Sequence, residues 1–193
     1  MTDHATTETA ALVRNALAER LRPLRAIDRD VLMRAAVIGR EFDLAVVVAA
    51  SRRDEATVRA AIRRACARQI VERIAGSQDR YGFRHALTHD VVMRELVCES
   101  LRPLHRDVAA ALERLTRRRP PAIEELAYHW WAAGDPRRGK RYNELAGDRA
   151  KALHADAQAL LHYRRALDLA APRSAARARL EGKVAAVVAP GLP

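Results

Sequence analysis

His85 and His89, four residues apart with Asp90 beside the second, are the first residues here whose types and spacing could do chemistry. On a helix that interval puts two imidazoles on one face, as a zinc site needs. Position 86 is alanine where a zinc hydrolase carries its glutamate base, and no third ligand stands nearby, so no metal is expected. A second set is basic. Arg59, Arg63, Arg64 and Arg68 share one side of a helical pattern, and Arg59 and Arg63, one turn apart, suit phosphates or guanine edges in a DNA groove. Base-reading faces usually add Asn, Gln, Ser or Thr, and here Thr57 alone accompanies the arginines. A third set is Trp130-Trp131, a candidate partner interface because tryptophan is enriched at interface hot spots. At least one of the two is expected in the core between helices. No Ser/His/Asp or Cys/His arrangement and no Gly-x-x-x-x-Gly-Lys-[Ser/Thr] phosphate loop occurs, so neither a catalytic centre nor a cofactor is expected.

Helices must position most of these residues. Of 193 residues 49% are hydrophobic and only 4% aromatic, and eight Gly with eight Pro leave little material for an all-β fold. That length allows one medium domain or two small ones. No apolar run is long enough to span a membrane. Met1 to Thr9 carries Asp3 and Glu8 with no signal-like apolar core, and Cys66 and Cys98 form no motif. A cytoplasmic protein with no membrane partner is the expectation. The net charge of +11 is almost all arginine, with lysine only at 140, 151 and 183, and it is scattered along the chain. A localised stripe would be the stronger mark of nucleic acid; scattered arginine also solvates outer helix faces.

Apolar spacing predicts a helix over Ala10–Leu24, ended by Pro23, and a second from an Asp28 N-cap through Ile38 to Gly39. Phe42 and Asp43 read as staple and cap for a short helix, Leu44 to Ala50. The next helix, 55–69, has the apolar stripe Val58, Ala61, Ile62, Ala65 and Cys66. Ile70 to Ile74 and Arg80 to Arg84 then read as two strands around the turn Gly76-Ser77-Gln78-Asp79. Three helices and a β-hairpin are the order of a winged helix. Helical spacing resumes over Ala86–Glu99 and Leu101–Leu115, and after the break Arg117 to Pro121 it continues in four further segments to Val188. Ala157-x-x-Leu160-x-x-Tyr163-x-x-Ala166-Leu167, followed by Pro172, fits the second helix of a tetratricopeptide repeat. The expected fold is therefore mainly α, a winged helix followed by tetratricopeptide-like pairs. The expected divisions are an N-terminal helix over 1–26, the winged helix with following helices over 27–118 and the repeat segment over 119–193.

Val31-Leu32-Met33-Arg34-Ala35-Ala36-Val37-Ile38-Gly39-Arg40-Glu41-Phe42-Asp43 resembles a run that follows the ATPase module in bacterial signal-transduction (STAND-type) ATPases. These include large LuxR-type transcriptional regulators and ATPase regions attached to some adenylate cyclases. Tyr81-Gly82-Phe83-Arg84-His85-Ala86-Leu87 resembles the end of the wing in the same proteins, and Leu104-His105-Arg106, Ala127-Tyr128-His129-Trp130 and Ala133-Gly134-Asp135 follow in the family's order. The resemblance covers residues 10–172. It implies a non-catalytic segment whose winged helix docks on a P-loop ATPase module, in the same parent chain or a separate one, and whose helical pairs bind a protein partner. The wider superfamily places a Met-His-Asp motif after the winged helix, where the histidine senses ADP. Here Arg84-His85-Ala86 keeps only the histidine, so the resemblance implies His85 as the nucleotide-sensing residue. The rival expectation is a sequence-specific DNA-binding winged helix that uses Arg59 and Arg63.

Overall fold

The computed structural model describes residues 15–96, 101–115 and 123–188. The start of the first helix, Cys98, the break from Arg117 to Pro121 and the tail from Ala189 to Pro193 lie outside the described residues. What is described is mainly helical, with one small three-stranded sheet, and the chain divides into two compact units, 1–104 and 105–193.

In the first unit, helix α1 covers 15–21 and α2 covers Ala26–Ile38. Arg25, in extended geometry and without a side-chain bond, occupies the N-cap of α2. Asp28, expected there, lies in the first turn and is buried. Its carboxylate faces Arg64 instead, because a bidentate charge-assisted pair outweighs the ~1 kcal/mol of a capping bond. The helix ends at Gly39, whose φ of 152° lies where a side chain would be strained. Strand β1 (Glu41–Asp43) follows, an element the sequence reading did not anticipate. Helix α3 (Leu44–Ser51) starts directly from it, and Asp43 makes no side-chain capping bond there. Helix α4 (Glu55–Ala67) has a working cap: Asp54 accepts from the Thr57 N–H at 2.8 Å. It buries Val58, Ala61, Ile62 and Ala65, as the stripe predicts.

Strands β2 (Val71–Arg73) and β3 (Arg80–Phe83) form the expected hairpin, and β1 pairs antiparallel with β3 to give the order β1-β3-β2. Phe42 opposes Tyr81 in register, with stacked rings 6.1 Å apart, and Phe83 packs against Phe42 at 5.8 Å. These aromatics face a core that includes Val31, Leu32, Val47 and Ile62. Helix α5 (Ala86–Leu96) follows β3 after a two-residue bend, Arg84-His85.

Helix α6 (Arg102–Leu115) belongs mostly to the second unit, with α7 (Ile123–Ala132), α8 (Pro136–Ala152), α9 (Asp156–Asp168) and α10 (Ala175–Val188). The division between the two units falls in the first turn of α6, whose His105 and Glu113 bond to His129 and Trp130 on α7. Asp135 caps α8, accepting from the N–H groups of Arg137 and Arg138, with Pro136 as the first helical residue.

Two glycines set how closely α8 meets its neighbours. A Cβ at Gly139 would meet Leu169 and the Trp130 carbonyl, and one at Gly147 would meet the Tyr163 ring. Tyr163 is buried and its hydroxyl donates to Asp148 at 2.8 Å, so the ring is pinned. On an exposed helix Gly→Ala stabilises by about 1 kcal/mol. Gly147→Ala is expected to reverse that sign and cost about 1 kcal/mol net, because overpacking costs roughly 1–3 kcal/mol. Urea denaturation followed by tryptophan emission measures this, since both tryptophans of the chain lie in this unit. A stabilised variant would mean that the Tyr163 ring slides aside.

Candidate functional site

His85 immediately precedes α5 and is exposed. Its carbonyl accepts from the N–H groups of Thr88 (2.9 Å) and His89 (3.4 Å), which starts the helix, and its imidazole has no hydrogen-bond partner among the described residues. His89 differs. Its Nε2 donates to the Ala36 carbonyl at 2.9 Å and its ring meets Phe83 edge-on at 5.2 Å, so it clips α5 to α2. The two imidazoles therefore do not form a free pair, and no cluster of three metal-ligating side chains occurs among the described residues.

The basic side of α4 divides into three environments. Arg59 reaches Glu55 at 2.7 Å and Asp79, in the hairpin turn, at 2.9 Å. Those carboxylates, Asp79 foremost, hold its guanidinium above the ordinary arginine range. Arg64 turns inward to Asp28, and that bond likewise raises its pKa. Arg63 is exposed and has no ion-pair partner among the described residues. The expected row of free arginines is thus reduced, because Arg59 is spent on tying the hairpin to α4.

In the second unit the adjacent tryptophans part company, as neighbours about 100° apart on a helix must. Trp130 is 1% exposed, and its Nε1–H donates to Glu113 at 3.1 Å. Glu113 also accepts from the Tyr142 hydroxyl at 2.9 Å, and Arg138 lies over the Trp130 ring at 4.6 Å. Trp130 is therefore core, not interface. Trp131 is half-buried, and its Nε1–H points to Asp168 at 3.4 Å. The Arg165 guanidinium lies over Trp131 at 4.8 Å and over Tyr128 at 5.5 Å, and Tyr128 is 40% exposed. Tyr128 and Trp131 are three apart on α7, a spacing the sequence offered. Arg165, inside Arg164-Arg165, looked like any solvated charge.

Beneath this face lie buried polar contacts. His105 and His129 share a hydrogen bond, Nδ1 to Nδ1 at 2.9 Å, with the Tyr128 ring set edge-on to both. Burial holds both imidazoles below the ordinary histidine pKa, and the neighbouring His105 deepens the effect on His129, which falls to about 3. His162 Nδ1–H donates to Asn143 Oδ1 at 3.1 Å, and burial lowers its pKa too. Asn143 in turn donates to the carbonyls of Ala127 (2.7 Å) and Gly139 (2.9 Å), bracing α7 against α8. Arg179 and Lys183 of α10 grip Glu144 of α8, and the Arg179 bonds foremost hold that carboxylate down to about 2. These contacts stitch helices together, whereas Arg165, half-buried over its two rings, has no carboxylate partner among the described residues. Comparison with known protein families, curated proteins and solved structures gives no match.

Proposed function

We propose that this chain is a non-catalytic coupling segment of a signal-transduction ATPase-type regulator, its first unit docking on a P-loop ATPase module and its helical pairs binding a protein partner. The observation that carries the reading is the element order α2-β1-α3-α4-β2-β3, with β1 beside the far strand of the hairpin. A helix, a short strand, two helices and a hairpin that takes in the first strand support a winged helix. Tyr163 seated on Gly147, and Trp130 packed where α7 meets α8, support tetratricopeptide-like pairing in the second unit. DNA readout fares less well, because Arg59 already carries two carboxylates.

His85 is the residue on which the reading turns: exposed, its imidazole without a partner among the described residues, and set between β3 and α5. An imidazole N–H donating to an anionic phosphate makes a charge-assisted bond, and a contact made in only one nucleotide state lets a ligand shift the balance between states. With a P-loop ATPase module supplied, His85→Ala is expected to speed ADP release about tenfold and to raise basal output, as loss of one charged hydrogen bond implies. The melting temperature of the chain should stay within a degree or so, because an exposed side chain contributes little. Unchanged ADP release with a clearly lowered melting point would make His85 a purely structural residue.

A further inference from the structure

We infer that the face formed by Tyr128 and Trp131 of α7 with Arg165 of α9 is a docking surface for an acidic segment of a partner protein, a carboxylate being taken by Arg165. The inference rests on the proposal that the helical pairs bind a protein partner, and it names that partner's chemistry. Arg165 is set apart among the described cations of this unit by lying over two aromatic rings while lacking a carboxylate partner. Arg138, Arg149, Arg177 and Arg179 each meet a carboxylate, whereas none pairs with Arg165 among the described residues. Asp168, one turn further along α9, is engaged with the Trp131 Nε1–H instead. The Arg165 guanidinium is nevertheless held in place by lying over two rings, 4.8 Å from Trp131 and 5.5 Å from Tyr128. A planar cation already oriented loses little side-chain freedom on binding, and its donor fork matches a carboxylate.

Charge and apolar area around it point the same way. Arg164, next in the chain, is exposed and has no ion-pair partner among the described residues, which adds positive potential. Leu161, one turn before Arg165 on α9, is 41% exposed, and Tyr128 is 40% exposed, so an apolar anchor has somewhere to rest. Single-stranded nucleic acid suits the face less well, because bases stack on open rings and here the guanidinium lies over both.

The test selects a random-peptide display library on the full chain, then resynthesises the most enriched peptide for calorimetry. Enriched sequences should place Asp or Glu beside Leu, Phe or Trp. Arg165→Gln should weaken the peptide about tenfold or more, and replacing the peptide's acidic residue by its amide should cost the unaltered protein as much. The two losses together should not add, since each removes the same bond. Arg164→Gln should change affinity less than about threefold, as expected of a screened charge. Because the amide peptide is tested on the unaltered chain, the result stands even if Arg165→Gln folds poorly. No enrichment, enrichment without acidic residues, or affinity indifferent to Arg165 overturns the inference. So does oligothymidylate that binds through Arg165 and displaces nothing acidic, which would assign the face to nucleic acid. Docking of an ATPase module on the first unit is measured separately: if it persists while acidic peptides fail, only the inference falls, and if it too is absent the underlying reading falls with it.

Discussion

Asp28→Ala is expected to destabilise the first unit by about 3 kcal/mol, near the lower end of what breaking a buried ion pair costs. The carboxylate is 2% exposed and accepts from Arg64 Nε at 3.0 and 3.2 Å and from Nη2 at 2.5 Å. Removing it strands a guanidinium between α2 and α4. The Arg64 side chain keeps 31% exposure, so water offsets part of the loss, hence the lower end of the range. The paired replacement Asp28→Leu with Arg64→Met should recover most of the stability, because an apolar pair has no charge to desolvate. Urea denaturation followed by circular dichroism gives the magnitudes, and hydrogen exchange at the Val31 and Ile62 amides locates the loss in this unit. A cost below about 1 kcal/mol for Asp28→Ala, the value of a typical exposed pair, would falsify the assignment of a buried pair.

The second large effect is a loss of stability in mild acid, confined to the second unit. His105, His129 and His162 all have pKa values depressed by burial. Unfolded, each would titrate near 6.5. Below that pH the unfolded chain binds protons that the folded chain refuses, so the neutral histidines stabilise fully above ~6.5 and lose that contribution as pH falls toward the folded values. At pH 5 the loss is about 2 kcal/mol for each histidine that stays neutral when folded. His129, depressed to about 3, meets that condition most securely. The contribution of Glu144, held down to about 2, begins to fall only near the ordinary glutamate value of about 4.3 and is lost toward pH 2, so the window from 6.5 to 5 reads the histidines. Tryptophan emission during urea denaturation at pH 8, 6 and 5 should show a falling midpoint, and His105→Leu with His129→Leu should flatten the trend. An unchanged midpoint between pH 8 and 5 would show that these imidazoles take up protons without unfolding.

Most helices were legible because their apolar periods run on to clear ends: the stripe Val58, Ala61, Ile62 and Ala65 is buried in α4, and Gly39 stops α2, as the sequence reading has it. The misses share a cause, which is that one side chain can serve two purposes. Phe42-Asp43 fits a staple and cap, yet β3 offers it a pairing partner nearly forty residues away, and three residues carry no visible alternation. Asp28 fits a cap, yet Arg64 sits at the edge of the α4 stripe within reach. Arg64 in turn read as one more solvated arginine. The candidate sites divided likewise. His85 and Arg63 stand where the pattern puts them, exposed, while Arg59 and Trp130 were claimed by Asp79 and Glu113, which no spacing within their own helices reveals. The Arg165 stack was illegible because its rings come from another helix.

Strand β1 also bears on the order in which the chain acquires structure. Its pairing of Glu41 with Gly82 closes a long loop, so the sheet of the first unit cannot form until the hairpin has been made and the intervening helices have drawn together. The second unit has no such obligation. There α7 packs on α8, α8 on α9 and α9 on α10, each helix meeting its neighbour in the chain. Helical pairs of that kind add one to the next as residues emerge from the ribosome. The two units therefore keep different clocks: the one made first must wait for its own last strand, and the one made after it assembles as it arrives.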